Sequence, residues 1–146
     1  MVSSIISASF LQQPAYAVGG EIVLGPTINL TNTDTSSGSA SVATNDGANV
    51  YVVWQETVVA STTYQAVYFK RSTDGGNMFG LAKMLSISGQ SSIAPQIAVS
   101  GSNVNVAWEG STTGFNSLEI LSAKSTDGSA AWSTPINLGK NMGYSG

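Results

Sequence analysis

An all-β fold built from repeated four-stranded antiparallel units follows from three observations. A unit of about 53 residues occurs twice. Its clearest segments alternate apolar and polar residues, the period of a strand. Clusters of Asn, Asp, Ser and Gly punctuate those segments as turns do. The repeat is carried by three markers: "ASVATNDGANVYVVW" (40–54) aligns with "APQIAVSGSNVNVAW" (94–108), "KRSTDGGNMFG" (70–80) with "AKSTDGSAAWS" (123–133), and "KMLS" (83–86) with "PINL" (135–138). A partial copy, "TINL" at 27–30, precedes both.

Four strands are expected in each unit. The first are 41–46 and 95–101, each ending in a turn cluster. The second are 49–55 and 103–109; in the latter, Val104, Val106 and Trp108 alternate with Asn103, Asn105 and Ala107. The third are 65–72 and 118–125, and the fourth 81–86 and 133–138. A lone leading strand is expected within 21–30, matching a fourth strand, and no segment past the N-terminus has the caps and period of a helix. The implied organisation is a leading strand and linker at 18–39, units at 40–86 and 87–139, and a tail or the start of a further repeat at 140–146.

Composition narrows the function classes. The 146 residues suffice for one domain or part of a larger one. Apolar residues make up 42%, enough to form a core. Charged residues make up only 9%, against about 25% in an average soluble domain, and Ser, Thr, Asn and Gly take their place. Five basic residues and a net charge of −3 give no basic patch, so a nucleic-acid partner is not expected. With no Cys and no His, disulfides, thiol chemistry, imidazole bases and most zinc sites are excluded. No cofactor is expected, and no apolar run approaches the roughly 18 residues of a membrane span. The N-terminal apolar patch, followed by Pro14 and Ala15-Tyr16-Ala17, has the form of a secretory signal cleaved after Ala17, although a positively charged start is missing. A secreted or cell-surface location is the expectation. Asn29-Leu30-Thr31 is a glycosylation sequon.

Four antiparallel strands at this period have the form of a β-propeller blade. "STDGGNMF" also resembles the Asp-box of sialidase-like propellers, Ser-x-Asp-x-Gly-x-x-Trp/Phe. Ser72, Asp74, Gly76 and Phe79 fill its four places. In the second copy Ser125, Asp127 and Trp132 match, while Ser129 stands where Gly is expected. The resemblance covers residues 28–139. It implies a hairpin between third and fourth strands in which the Asp accepts backbone N–H bonds, the Gly takes a positive φ and the aromatic pins the turn. These are structural roles; a calcium loop at 74–77 lacks further oxygen ligands, and no metal residue is assigned.

Rings of this type need about four to eight blades, and two are present. The chain thus reads as part of a larger propeller. The alternatives are several chains sharing a ring by self-association, or a small β-sandwich.

The resemblance places ligands at the connections 55–63, 86–93, 109–117 and 139–146, on the end opposite the Asp-boxes. There Glu56 and Glu109 stand just after the two tryptophans, in what read as matching places, as carboxylates able to bind a ligand or move a proton. Gln55, Thr57 and Asn116 are hydrogen-bonding candidates for a sugar, and Tyr51, Tyr64 and Tyr68 read as packing residues. Sialidase chemistry would require an arginine cluster, and this chain has one arginine, Arg71. No catalytic residue is therefore assigned. The expected function is a non-catalytic secreted or surface repeat protein that binds a glycan or protein or serves as a scaffold. The alternatives are a piece of an exo-sialidase-like glycoside hydrolase, or a structural envelope protein.

Overall fold

Runs of Val, Tyr, Phe and Trp bounded by Gly- and Asp-containing turns favour a pleated, buried surface, and the chain folds as antiparallel sheets. A computed structural model describes residues 17–18, 21–22, 25–111 and 118–139. Its strands are β1 (Ala17–Val18), β2 (Glu21–Ile22), β3 (Ser37–Thr44), β4 (Val50–Val58), β5 (Tyr64–Ser72), β6 (Lys83–Met84), β7 (Ser92–Ser100), β8 (Asn103–Gly110), β9 (Glu119–Ser125) and β10 (Ile136–Asn137). β1 and β2 form a separate two-stranded pair. The others form two four-stranded sheets in sequential order, β3-β4-β5-β6 and β7-β8-β9-β10, every pairing antiparallel. The described residues contain no helix, and hence none long and apolar enough to cross a membrane.

Register shows how the sheets meet. Residues paired across strands share a face, so Tyr51, Val53, Val67, Phe69 and Leu85 lie on one side of the first sheet. Val104, Val106, Trp108, Leu121 and Ala123 lie on one side of the second. These ten form a single buried core, joined by Ile97, Val99 and Trp132. Trp54 lies on the opposite face of the first sheet, yet Trp108, its repeat counterpart, faces the shared core. The sheets therefore stack through non-equivalent faces, as units related by translation or rotation along a series do.

Polar contacts tie the stack at both ends of the strands. The Gln55 side-chain oxygen accepts the Ala94 N–H at 2.9 Å, and Asn45 Nδ2 donates to Gly101 O at 2.7 Å. Arg71 donates through Nη1 to Gly128 O at 2.6 Å and through Nε and Nη2 to Asn49 Oδ1. The Trp132 ring meets the Phe69 ring edge-on, 4.9 Å between centroids.

The repeat extends to irregularities. β3 and β7 each carry a bulge against the following strand, between Gly38 and Ser41 and between Ile93 and Gln96. Ser39 and Ala94 occupy the same left-handed conformation there, φ 49° and 52°. These bulges extend the first strands beyond the expected starts at 41 and 95, to Ser37 and Ser92, because pairing resumes on their far side.

The leading outer strand expected within 21–30 is not part of either four-stranded sheet. Among the described residues of that span only Glu21–Ile22 is a strand, and it pairs with β1. Pro26 lacks the N–H a ladder needs. Asn29 Oδ1 accepts the N–H groups of Thr31 and Asn32, and Asn32 takes φ 49°, so the chain turns instead. β6 and β10 already hold the outer positions.

The two Ser-x-Asp turns have nearly the same hydrogen bonds. Ser72 Oγ donates to Asp74 Oδ1 at 2.7 Å and accepts Gly76 N–H at 2.9 Å; Asp74 Oδ1 accepts Met78 N–H at 2.9 Å. Ser125, Asp127, Ser129 and Ala131 repeat this at 2.7, 2.9 and 3.0 Å. Each turn also docks on the first hairpin of its own sheet, Gly75 N–H to Ala48 O and Gly128 N–H to Ser102 O, both 2.8 Å. Gly76 has φ 92° and Ser129, in its place, 82°. An L-residue pays about 1–2 kcal/mol in this region, offset in part by the freedom a Gly loses on folding. Ser129→Gly should therefore raise stability by about 0.5–1 kcal/mol, and Gly76→Ser should lower it by a similar amount. Urea midpoints at constant m-value check both.

Candidate functional site

The strands present two different ends. One carries the turns 45–49, 73–82, 101–102 and 126–135. The other carries the β4–β5 loop at 59–63, the inter-sheet connection at 85–91 and the two bulges. The second end holds the candidate ligand residues. Asn116 and the rest of 112–117, residues 1–16 of the expected signal at 1–17, and the tail at 140–146 lie outside the described residues.

Glu56 and Glu109 do not occupy matching places. Glu56 pairs with Ser37 and Ala66, whereas Glu109 pairs with Ile93 and Ile120. The spacing from the tryptophan is two residues in one unit and one in the other, and a one-residue offset in a strand changes the face. Glu56 shares the Trp54 face, is 8% exposed, and its Oε2 accepts the Trp54 indole N–H at 2.8 Å. Trp54 stacks on Tyr68 at 5.9 Å, and burial together with the Glu56 charge pushes the Tyr68 phenol up. The true counterpart of Glu56 is Gly110, where a Cβ would lie 2.8 Å from Leu121 Cδ1. Among the described residues Trp108 Nε1 is consequently buried without a carboxylate partner.

Glu109 is the counterpart of Gln55, on the outer face of the second sheet. It lines a shallow pocket with Ala94, Gln96, Ala107, Trp108 and Ile120. Gln55 itself bonds Ala94 across the stack, and Thr57 Oγ1 accepts Gln65 Nε2 at 2.8 Å. Tyr51 is in the core, and Tyr64, 7% exposed, shares a hydrogen bond with Ser88 Oγ. Gln55, Glu56 and Thr57 are thus engaged within the sheets rather than presented for a ligand. Asn29 is exposed, its Oδ1 bonded to the Thr31 N–H and hydroxyl.

The exposed loop residues at this end are uncharged, Val59, Ala60, Ser61, Thr62 and Thr63 with Ile87, Ser88 and Gly89 beside them, while Glu109 and Glu119 are half-buried on the second sheet. Val59 is 70% exposed. No Lys or Arg lies within 55–63 or 86–93, and no group of three His, Cys, Asp or Glu could hold a metal among the described residues.

The Ser-x-Asp carboxylates lie at the opposite end. Asp74 is held below the usual 3.8 by the Met78 N–H and then the Ser72 hydroxyl; Asp127 likewise by Ala131 N–H and Ser125. Asp46 is lowered by the Asn49 backbone and side-chain donors. A carboxyl lowered on folding contributes stability above its unfolded value and loses it as pH falls through the folded one. Urea midpoints should hold from pH 7 to about 5 and fall below about pH 4. An Asp74→Asn/Asp127→Asn double variant should start lower and lose less across that acid range. An unchanged acid slope in the double variant would count against these turns as its source.

The bulges escaped the sequence reading, because neither Ser39 nor Ala94 is a residue type that signals positive φ. The Glu56–Gly110 equivalence was visible in the spacing from each tryptophan. Comparison with protein-family models and with curated proteins returns no match for the chain.

Proposed function

We propose that this protein is a non-catalytic, secreted or cell-surface β-propeller-type repeat scaffold, of the kind the Asp-box resemblance implies. It binds an uncharged glycan or protein surface through the loop end at 59–63 and 86–91. The observation that carries this reading is the engagement of the polar side chains nearest that end: Glu56 with Trp54, Gln55 with Ala94, Thr57 with Gln65. The one arginine joins the sheets at the other end. The exposed residues of the 59–63 and 87–89 loops are neutral and suited to hydrogen bonding and apolar contact, with Glu109 on the second sheet the part-exposed carboxylate nearest them. Stacking through non-equivalent faces, with the same bulge and turn in each unit, favours a propeller series over a sandwich.

The test pairs a glycan array and a surface-protein panel with a fluorogenic sialoside assay. The expected result is binding that Val59→Asp and Thr62→Asp weaken about tenfold or more, with no turnover. Sialoside hydrolysis by the purified chain would replace this reading with the hydrolase.

A further inference from the structure

Among the described residues, each sheet presents an exposed strip equivalent to part of the contact between the two sheets. Within the chain, β7 lies against β3, β4 and β5 of the first sheet, on whose core face Val67 and Leu85 are 0% and 6% exposed. Their counterparts on the outer face of the second sheet, Ile120 and Leu138, are 47% and 53% exposed, and Ile136 beside them 58%. Glu109 stands there in the place of Gln55, whose oxygen accepts a bulge N–H. Lys124 stands in the place of Arg71, whose guanidinium reaches a turn carbonyl.

The other half is on β3. Ile97 of β7 packs into the shared core, while its counterpart Val42 is 65% exposed. Ser39 repeats the Ala94 bulge. Leu30 and Thr31 share a pocket with Val52 and Trp54, and Lys70 Nζ holds Leu30 O at 2.7 Å, so the preceding segment lies over Trp54 and leaves Val42 open.

We propose that a second copy of this chain docks head to tail, its β3 face on the outer face of the second sheet, repeating the contact made within each chain. Glu109 accepts the partner's bulge N–H in the place of Gln55, and Lys124 reaches the partner's Ser-x-Asp turn. The complementarity of the two exposed surfaces points to a second copy: the outer face of the second sheet is the equivalent of one side of an interface the chain already forms, and the β3 strip at Val42 is the exposed part of the other. Asn105, Ala107 and Ser122 stand where the first sheet has Tyr51, Val53 and Phe69, so the intermolecular contact is weaker than the internal one. A heterologous contact of this kind builds a ring or an open stack. The inference rests on the stacked-series half of the proposed function and is independent of the loop-end ligand.

Sedimentation velocity of the full chain across a wide concentration range tests it. The unmodified chain should show concentration-dependent association. Val42→Asp and Ile120→Asp, at exposed positions on opposite faces, should each weaken self-association at least about tenfold. Mixed one to one, they should form a discrete heterodimer, since each retains the face the other lacks. A chain that stays monomeric throughout, a Val42→Asp variant that associates normally, or a mixture that forms no heterodimer would each overturn the proposal. None of these outcomes affects the glycan and protein binding test, so the two readings fail separately.

Discussion

Trp108→Ala should cost about 3–5 kcal/mol, the largest single loss expected. The side chain is 2% exposed and belongs to the core that both sheets share. Truncation leaves a void between two stacked sheets held by their own ladders, so collapse around it is limited. Trp54→Ala should cost a similar amount by a different route, opening the opposite face of the first sheet. Phenylalanine substitutions separate the two. Among the described residues Trp108 Nε1 has no partner to lose, so Trp108→Phe loses packing alone and should cost about 1–2 kcal/mol. Trp54→Phe removes a bond to the buried Glu56 carboxylate and should cost about 1–3 kcal/mol. Urea melts at pH 7 measure all four. Near-zero losses for both alanine variants would contradict the strand register.

Arg71→Ala should cost about 2–3 kcal/mol. Its guanidinium joins Asn49 of the first sheet to the Gly128 carbonyl of the second and lies 5.6 Å from the centre of the Tyr51 ring. A half-buried cation with several directed partners is worth more than an exposed ion pair. Lysine cannot reproduce the fork that reaches both acceptors, so Arg71→Lys should recover less than half of the loss. Equal stability of the Lys variant and the unmodified chain in a urea melt would show that charge alone suffices there.

The fold was legible where a strand is half-buried. β8 alternates Asn103, Asn105 and Ala107 with Val104, Val106 and Trp108, and the period reads directly. β4 was legible only through its repeat, since Tyr51, Val52, Val53 and Trp54 are all buried and the alternation disappears. The leading segment misled because "TINL" resembles the fourth-strand markers, yet Pro26 and the Asn29 turn decide its path locally. The site was harder to read. Gln55 has the form of a polar strand-end residue facing solvent, but its partner is a backbone N–H 39 positions away. No local pattern encodes that contact. Glu56 and Glu109 looked equivalent because both follow a tryptophan, and only the two-residue period of a strand separates them.

The two repeats stack through non-equivalent faces. Nuclear Overhauser contacts in the isotopically labelled chain test it most directly. Cross-peaks are expected between the Phe69 and Trp132 rings, between Val53 methyls and the Val104–Trp108 face, and between the Ala94 amide and the Gln55 side chain. Contacts between the Trp54 and Trp108 rings, which would bring equivalent faces together as in a two-fold sandwich, would contradict it.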